Sequence, residues 1–138
     1  METILPPAPE NDRALPTLLI ADDDPVVRLA LAVQLGDDFH LTTPAADADE
    51  AISIAALERP DVALLDLQMP GGGGMRAVHE ITASSPGTAI VILSVDESHG
   101  GVLDVLDAGA TSYVRKGQLS RTGLVDHLTR VILLHRAP

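Results

Sequence analysis

The sequence predicts a doubly wound α/β domain. Five short β-type runs alternate with five helical patterns along 138 residues, and the runs at 18–20, 62–65 and 90–93 are apolar without interruption. Strands of a parallel sheet are covered by helices on both faces, so they read as continuous hydrophobic runs and not as an alternation. Strand and helix in strict succession is the pattern of βαβ units around one five-stranded parallel sheet, a three-layer sandwich. The length suits a single domain with a core of its own.

Taken in order, residues 1–16, "METILPPAPENDRALP", carry four prolines and no periodicity, and are expected to form a disordered or loosely attached arm. The folded domain is expected over 17–135, with 136–138 as a tail. "TLLIA" (17–21) is the first strand. Asp24 and Pro25 form an N-cap and first-turn pair that opens a helix to about Leu35. Phe39 to Thr43 reads as a second, weaker strand. Asp47 with Glu50 makes a capping-box-like start to a helix that ends at Glu58, before Pro60. "DVALLD" (61–66) is the third strand, and "GMRAVHEITAS" (74–84) the third helix, with Met75, Val78 and Ile81 on one face. "TAIVILS" (88–94) is the fourth strand. A weaker helix spans 98–108, with Gly100 and Gly101 near its start and Gly109 as its stop, and is expected to be labile. "SYVR" (112–115) is the fifth strand. Leu124, Val125, Leu128, Val131 and Ile132 mark an amphipathic last helix.

Composition narrows the function. Apolar residues make up 46% of the chain, yet there is one Phe, one Tyr and no Trp, so the core must be aliphatic. No apolar stretch approaches the roughly 18 residues of a membrane span, and no signal peptide is recognisable. Without cysteine, disulfides and thiolate metal sites are excluded, and a cytoplasmic home is expected. A formal charge of −11 argues against direct nucleic-acid binding, which needs clusters of Lys and Arg on phosphate. Eight of the nine basic residues are Arg; the exception is Lys116.

Ligand sites of doubly wound sheets lie beyond the carboxyl ends of the strands, at the switch in strand order. Strand one is followed by Asp22, Asp23 and Asp24, strand three ends in Asp66, strand four in Ser94, and strand five leads to Lys116. Clustered carboxylates repel and raise one another's pKa unless a positive charge sits among them. A hard divalent cation with oxygen ligands answers this, and Mg²⁺ is the one expected. A carboxylate beside it could attack phosphorus to give an acyl phosphate, with Ser94 and Lys116 on the transferred phosphoryl oxygens.

This set, in this order and spacing, resembles the CheY-like receiver domains of bacterial two-component response regulators over residues 17–135. The carrying motifs are Asp22–Asp23 after strand one, "DLQMP" with Gly74 after strand three, Ser94, and "YVRK" at strand five. The resemblance implies a flavodoxin-like (βα)5 fold with Asp66 as phosphoacceptor. It implies Asp23 as a direct Mg²⁺ ligand, Asp22 acting through metal-bound water, and the Gln68 backbone carbonyl as a further ligand. Ser94 and Lys116 would bind the phosphoryl group, and Tyr113 would turn inward as Ser94 moves. It further implies a signalling module, not an enzyme acting on separate substrates, with a sensor histidine kinase as donor. Its output would pass through the face of the fourth helix, fifth strand and fifth helix to an output domain or partner protein. That output could be a helix-turn-helix DNA-binding domain, and homodimerisation through the same face is compatible with the pattern. Phosphoryl lifetime would be tuned at Gln68 and Asp96.

Two residues depart from the family pattern. Gly117 follows the lysine where proline is usual, and Val95 follows Ser94 where a small residue is usual and would narrow the mouth of the site. Met69–Pro70 turns the chain away from Asp66, and glycines permit a tight loop; four in a row exceed that need. Two alternatives remain at this level. "DDDPV" (22–26) fits the D-x-D-x-V pattern of haloacid-dehalogenase-type phosphatases, with Asp22 as nucleophile and Asp24 as acid/base, although no acidic metal motif follows Lys116. A pseudo-receiver, a binding module without phosphorylation, is the other. The five histidines show no ligand spacing.

Overall fold

The computed structural model describes residues 15–95 and 99–137. The expected arm up to residue 14, Asp96 and Pro138 lie outside the described residues. Ten elements succeed one another as read from the sequence: β1 (Thr17–Ala21), α1 (Pro25–Leu35), β2 (His40–Leu41), α2 (Ala48–Glu58), β3 (Val62–Asp66), α3 (Gly73–Ser84), β4 (Ala89–Ser94), α4 (His99–Ala108), β5 (Ser112–Arg115) and α5 (Arg121–Arg136). The strands form one sheet in the order β2-β1-β3-β4-β5, parallel throughout. This is the flavodoxin-like order, with its switch point between β1 and β3.

Pleat alternation divides the core into two. Leu18, Ile20, Leu64, Val91 and Val114 point to the face covered by α1 and α5, where they meet Leu31, Leu35, Leu124, Leu128 and Val131. Leu19, Ala21, Ala63, Leu65 and Ile92 point to the opposite face, against Ala51, Ala55, Ala77, Val78, Ile81 and Val105 of α2, α3 and α4. The second layer is rich in alanine, which lets α2 and α3 lie close to the sheet and to each other. Every residue of β3 and β4 is buried, as the uninterrupted apolar runs require.

Helix starts follow local chemistry. Asp24 Oδ1 accepts from Val26 N at 2.9 Å ahead of Pro25. At α2, Asp47 Oδ1 accepts from Glu50 N at 2.8 Å, and Glu50 Oε1 accepts from Ala46 N at 2.8 Å, a reciprocal pair shifted one residue from the expected box. Ser120 Oγ caps α5 through Gly123 N at 3.1 Å, which starts that helix before its first buried leucine; the helix ends at Arg136, one residue past the expected domain end.

The second strand is the element that sequence overstated. Only His40 and Leu41 form β2, both exposed at the sheet edge. Phe39 is buried beneath α1 and not in the strand, and beyond Leu41 the chain stays tied to β1 by single bonds, Thr42 N to Leu18 O and Ala45 N to Ile20 O, each 3.0 Å. No described helix is long and apolar enough to cross a membrane.

Leu64 is fully buried in the central strand. Leu64→Ala should lower the unfolding free energy by about 3 kcal/mol, from lost transfer energy plus a residual cavity. Urea denaturation followed by circular dichroism measures this directly.

Candidate functional site

Register delivers the polar residues to one rim. Ala21 pairs with Leu65, so Asp22 and Asp66 are the next residues on adjacent strands; Asp66 pairs with Leu93, and Ser94 with Arg115. Asp22, Asp23, Asp24, Asp66, Gln68, Ser94, Val95 and Lys116 line a cleft of about 280 Å³. One carboxylate oxygen from each of Asp22, Asp23 and Asp66 lies within 4.8 Å of the others. Asp22 and Asp66 are buried, whereas Asp23 faces solvent.

The one lysine of the chain sits inside this group. Lys116 Nζ is 2.8 Å from Asp22 Oδ2 and 3.5 Å from Asp66 Oδ2, so it leans on Asp22. Asp22 Oδ2 is wholly buried, and what faces it is the Lys116 ammonium. Its partner Oδ1 accepts from Asp24 N at 2.9 Å. Asp66 Oδ1 accepts from Gln68 N at 3.2 Å. Burial, with the Asp22 charge added to it, holds the Asp66 carboxyl above its ordinary range despite the Gln68 amide and Lys116. For Lys116 burial pulls downward, but the contact with Asp22 and the charges of Asp66 and Asp22 outweigh it, and the ammonium ends above its usual value.

This donor set fits a hard divalent cation: three carboxylates converge, two of them buried, and their oxygens lie within 4.8 Å of one another. A single ammonium does not balance three acids.

The remaining expected residues fall as follows. Ser94 is buried at the end of β4, and its carbonyl accepts from Lys116 N at 3.0 Å, tying β5 to β4 at the cleft. Tyr113 is 42% exposed and does not line the cleft. Val95 stands at the mouth, 67% exposed. Gly117 has φ +77 with open space where a Cβ would stand, so the backbone and not crowding selects glycine. Asp24 serves as the α1 cap, its Oδ1 accepting from Val26 N.

The glycine run has a backbone explanation. Gly71, Gly72 and Gly73 have φ of 84, 104 and 70, three consecutive residues in a region costly for any side chain. Gly74 is needed for proximity: a Cβ there would lie 2.9 Å from Leu67 Cα and 3.0 Å from the Asp66 carbonyl. The first turn of α3 therefore presses on the backbone of Asp66 itself.

Sequence reasoning missed two arginines. Arg28 Nη1 donates to the Asp22 carbonyl at 2.7 Å, and Arg76 Nη1 donates to Gly71 O at 2.8 Å and Asp49 Oδ1 at 2.6 Å. Arg28 was findable, since it lies one helical turn beyond the Asp24 cap. Nothing in the sequence relates Arg76 to Asp49, 27 residues away. Of the histidines, His127 Nε2 bonds Ser112 Oγ at 2.8 Å; burial foremost, then Arg130, lowers its pKa.

Comparison with known proteins agrees with this fold. The family model of the response regulator receiver domain matches residues 18–129, and the chain belongs to that family. It is 38% identical over 102 residues to the oxygen regulatory protein NreC of Staphylococcus epidermidis, covering 72% of this chain and 47% of that protein. It is 31% identical over 116 residues to a nitrate/nitrite response regulator homologue of Haemophilus influenzae, covering 83% and 55%. The chain thus spans about half the length of these curated relatives. Among solved structures, a LuxR-family two-component response regulator from Aurantimonas sp. SI85-9A1 superposes with a TM-score of 0.81 at 27% identity, over 91% of this chain and 90% of that one. Receiver domains are signalling modules.

Because the folded state holds the Asp66 carboxyl above its unfolded value, ionisation at neutral pH works against folding. Asp66→Asn should raise stability by on the order of 1 kcal/mol at pH 7 without added divalent cation. That gain should vanish as pH falls from the raised folded value through the ordinary aspartate range, where wild type also becomes neutral at this position. Thermal melts of both proteins between pH 4 and 7 test the sign.

Proposed function

We propose that this chain is a phosphorylation-activated switch that accepts a phosphoryl group on Asp66 from a sensor histidine kinase in a Mg²⁺-dependent reaction. The observation that carries the reading is the buried Asp66 carboxylate opening into a cleft shared with Asp22, Asp23, Ser94 and Lys116. In the transfer, an Asp66 oxygen attacks phosphorus in line with the leaving imidazole nitrogen of the donor phosphohistidine. The P–N bond breaks as the O–P bond forms, and the imidazole keeps the electron pair.

Asp22, Asp23, Asp66 and the Gln68 carbonyl are the groups that would hold Mg²⁺, with Asp22 reaching it through water. The cation supplies charge neutralisation for the phosphoryl oxygens. Lys116 then gives up part of its contact with Asp22 for a phosphoryl oxygen, and Ser94 bonds another. Tyr113, exposed on β5, turns inward into the space that Ser94 vacates. Repacking of the α4–β5–α5 face carries the signal to an output domain or partner. The curated relatives are named as an oxygen regulatory protein and a nitrate/nitrite response regulator homologue, and this chain spans about half their length; both facts support an output domain outside the matched stretch, read here as a helix-turn-helix DNA-binding domain of a cytoplasmic regulator.

Incubation with acetyl phosphate and Mg²⁺ should add one phosphoryl mass to wild type and none to Asp66→Asn, by intact-mass spectrometry. An adduct that survives the substitution would shift the nucleophile to Asp22. No adduct, with Mg²⁺ bound and trial kinases also inactive, would make the chain a pseudo-receiver. A companion measurement addresses the cation: Asp23→Ala should weaken Mg²⁺ binding at least tenfold in a calorimetric titration, and unchanged affinity would place the cation elsewhere.

A further inference from the structure

We infer that Arg76 is a positioning residue for Asp66: it clasps the glycine loop against α2 and so fixes the backbone that carries the phosphoacceptor. The inference rests on the phosphoacceptor reading above.

A run of Gly71, Gly72 and Gly73 has more backbone freedom to lose than any other tripeptide, yet it must hold three successive positive φ values. Something outside the loop has to select that conformation. Two ties do so. Ala48 N, at the start of α2, donates to Pro70 O at 3.0 Å. Arg76, in the first turn of α3, folds back over the loop, and its Nη1 donates to Gly71 O and to Asp49 Oδ1.

Gly72 is what lets the arginine do this. A Cβ on Gly72 would lie 2.8 Å from Arg76 Cδ and 2.9 Å from its Cβ, so the aliphatic stem occupies the space a side chain would fill. The clasp thus uses the glycine run in a second way, as the bed for the arginine stem.

The loop is coupled to Asp66 at its other end. Gly74 N donates to Leu67 O at 2.8 Å, and a Cβ on Gly73 or Gly74 would stand 3.0 Å or less from Leu67 backbone atoms. Leu67 lies between Asp66 and Gln68, whose amide bonds the Asp66 carboxylate. Freedom in the loop becomes freedom in the phosphoacceptor and in the Gln68 carbonyl, and in-line attack is sensitive to such misplacement. The Arg76–Asp49 pair is exposed at both ends and contributes little to global stability. Its effect is local order.

One nitrogen serves both acceptors, which makes the chemistry specific: a single cationic nitrogen on a long stem is required, and the guanidinium fork is not. Arg76→Met keeps a stem over Gly72 without the donor, and Arg76→Lys keeps the donor. In the full chain, Arg76→Met should leave the melting temperature within a few degrees of wild type. Amide exchange at Gly74 and Ala48 should become roughly tenfold faster, and the initial rate of acetyl phosphate labelling in Mg²⁺ should fall about threefold to tenfold, with Arg76→Lys restoring both. Unchanged exchange in Arg76→Met would overturn the clasp. Faster exchange with labelling at the wild-type rate would overturn its positioning role. A wild type that takes no label at Asp66 from acetyl phosphate or from trial kinases would overturn the phosphoacceptor reading and that role with it, while the exchange rates would still report the clasp.

Discussion

Gathering carboxylates in a place where water is scarce is the constraint around which this molecule is built. Asp22 and Asp66 are buried on neighbouring strands, with Asp23 at their side and one ammonium among them. Left to themselves, such groups would separate or take up protons. What prevents separation is the sheet. β1 and β3 pair over four residues immediately before the two aspartates, and β3 and β4 pair over five. The cost of the acidic cluster is met by the aliphatic packing on both faces of those strands, which explains why the most completely buried strands are those that carry the site.

Rigidity on the sheet is complemented by a loop that had to be permissive. The chain must turn sharply after Asp66 and bring α3 back within van der Waals distance of the Asp66 and Leu67 backbone. A side chain at 74 would collide with that backbone, and side chains at 71–73 would oppose the positive φ values. Glycine satisfies each demand at the expense of order in the unfolded and native loop. The ties to Pro70 and Gly71 from α2 and α3 restore the order. The site therefore depends on a boundary between two helices that contribute nothing to the cleft itself.

This division accounts for what could be read from the sequence. The apolar runs of β1, β3 and β4, the caps Asp24 and Asp47, and the polar residues after each strand are local signals, and the fold class and the rim followed from them. β2 was overstated because the Phe39–Thr43 run reads as β by composition, while Phe39 is drawn into the core under α1; tertiary packing overrode propensity. The glycine run was visible but not interpretable, since positive φ and the approach of Gly74 to Leu67 exist only in three dimensions. Arg76 and Asp49 were invisible as a pair for the same reason. Arg28 stands one helical turn beyond the Asp24 cap, a spacing the sequence does carry, and the packing of α1 against β1 brings it to the Asp22 carbonyl.

The singular lysine now has a physical rationale. Arginine fills every other basic position of the chain, so composition alone would have placed one at 116 as well. The position calls for a compact point charge that stands 2.8 Å from Asp22 and 3.5 Å from Asp66, among three acids whose oxygens lie within 4.8 Å of one another. A guanidinium would engage one carboxylate with two parallel bonds and hold it, and its planar bulk would intrude on the space the carboxylates share. An ammonium on a flexible stem can shift from one oxygen to another by rotation. Its charge is secured by these carboxylates, which raise its proton affinity against the pull of burial. Lysine at 116 is thus a consequence of the acidic cluster, just as the sheet register and the glycine loop are.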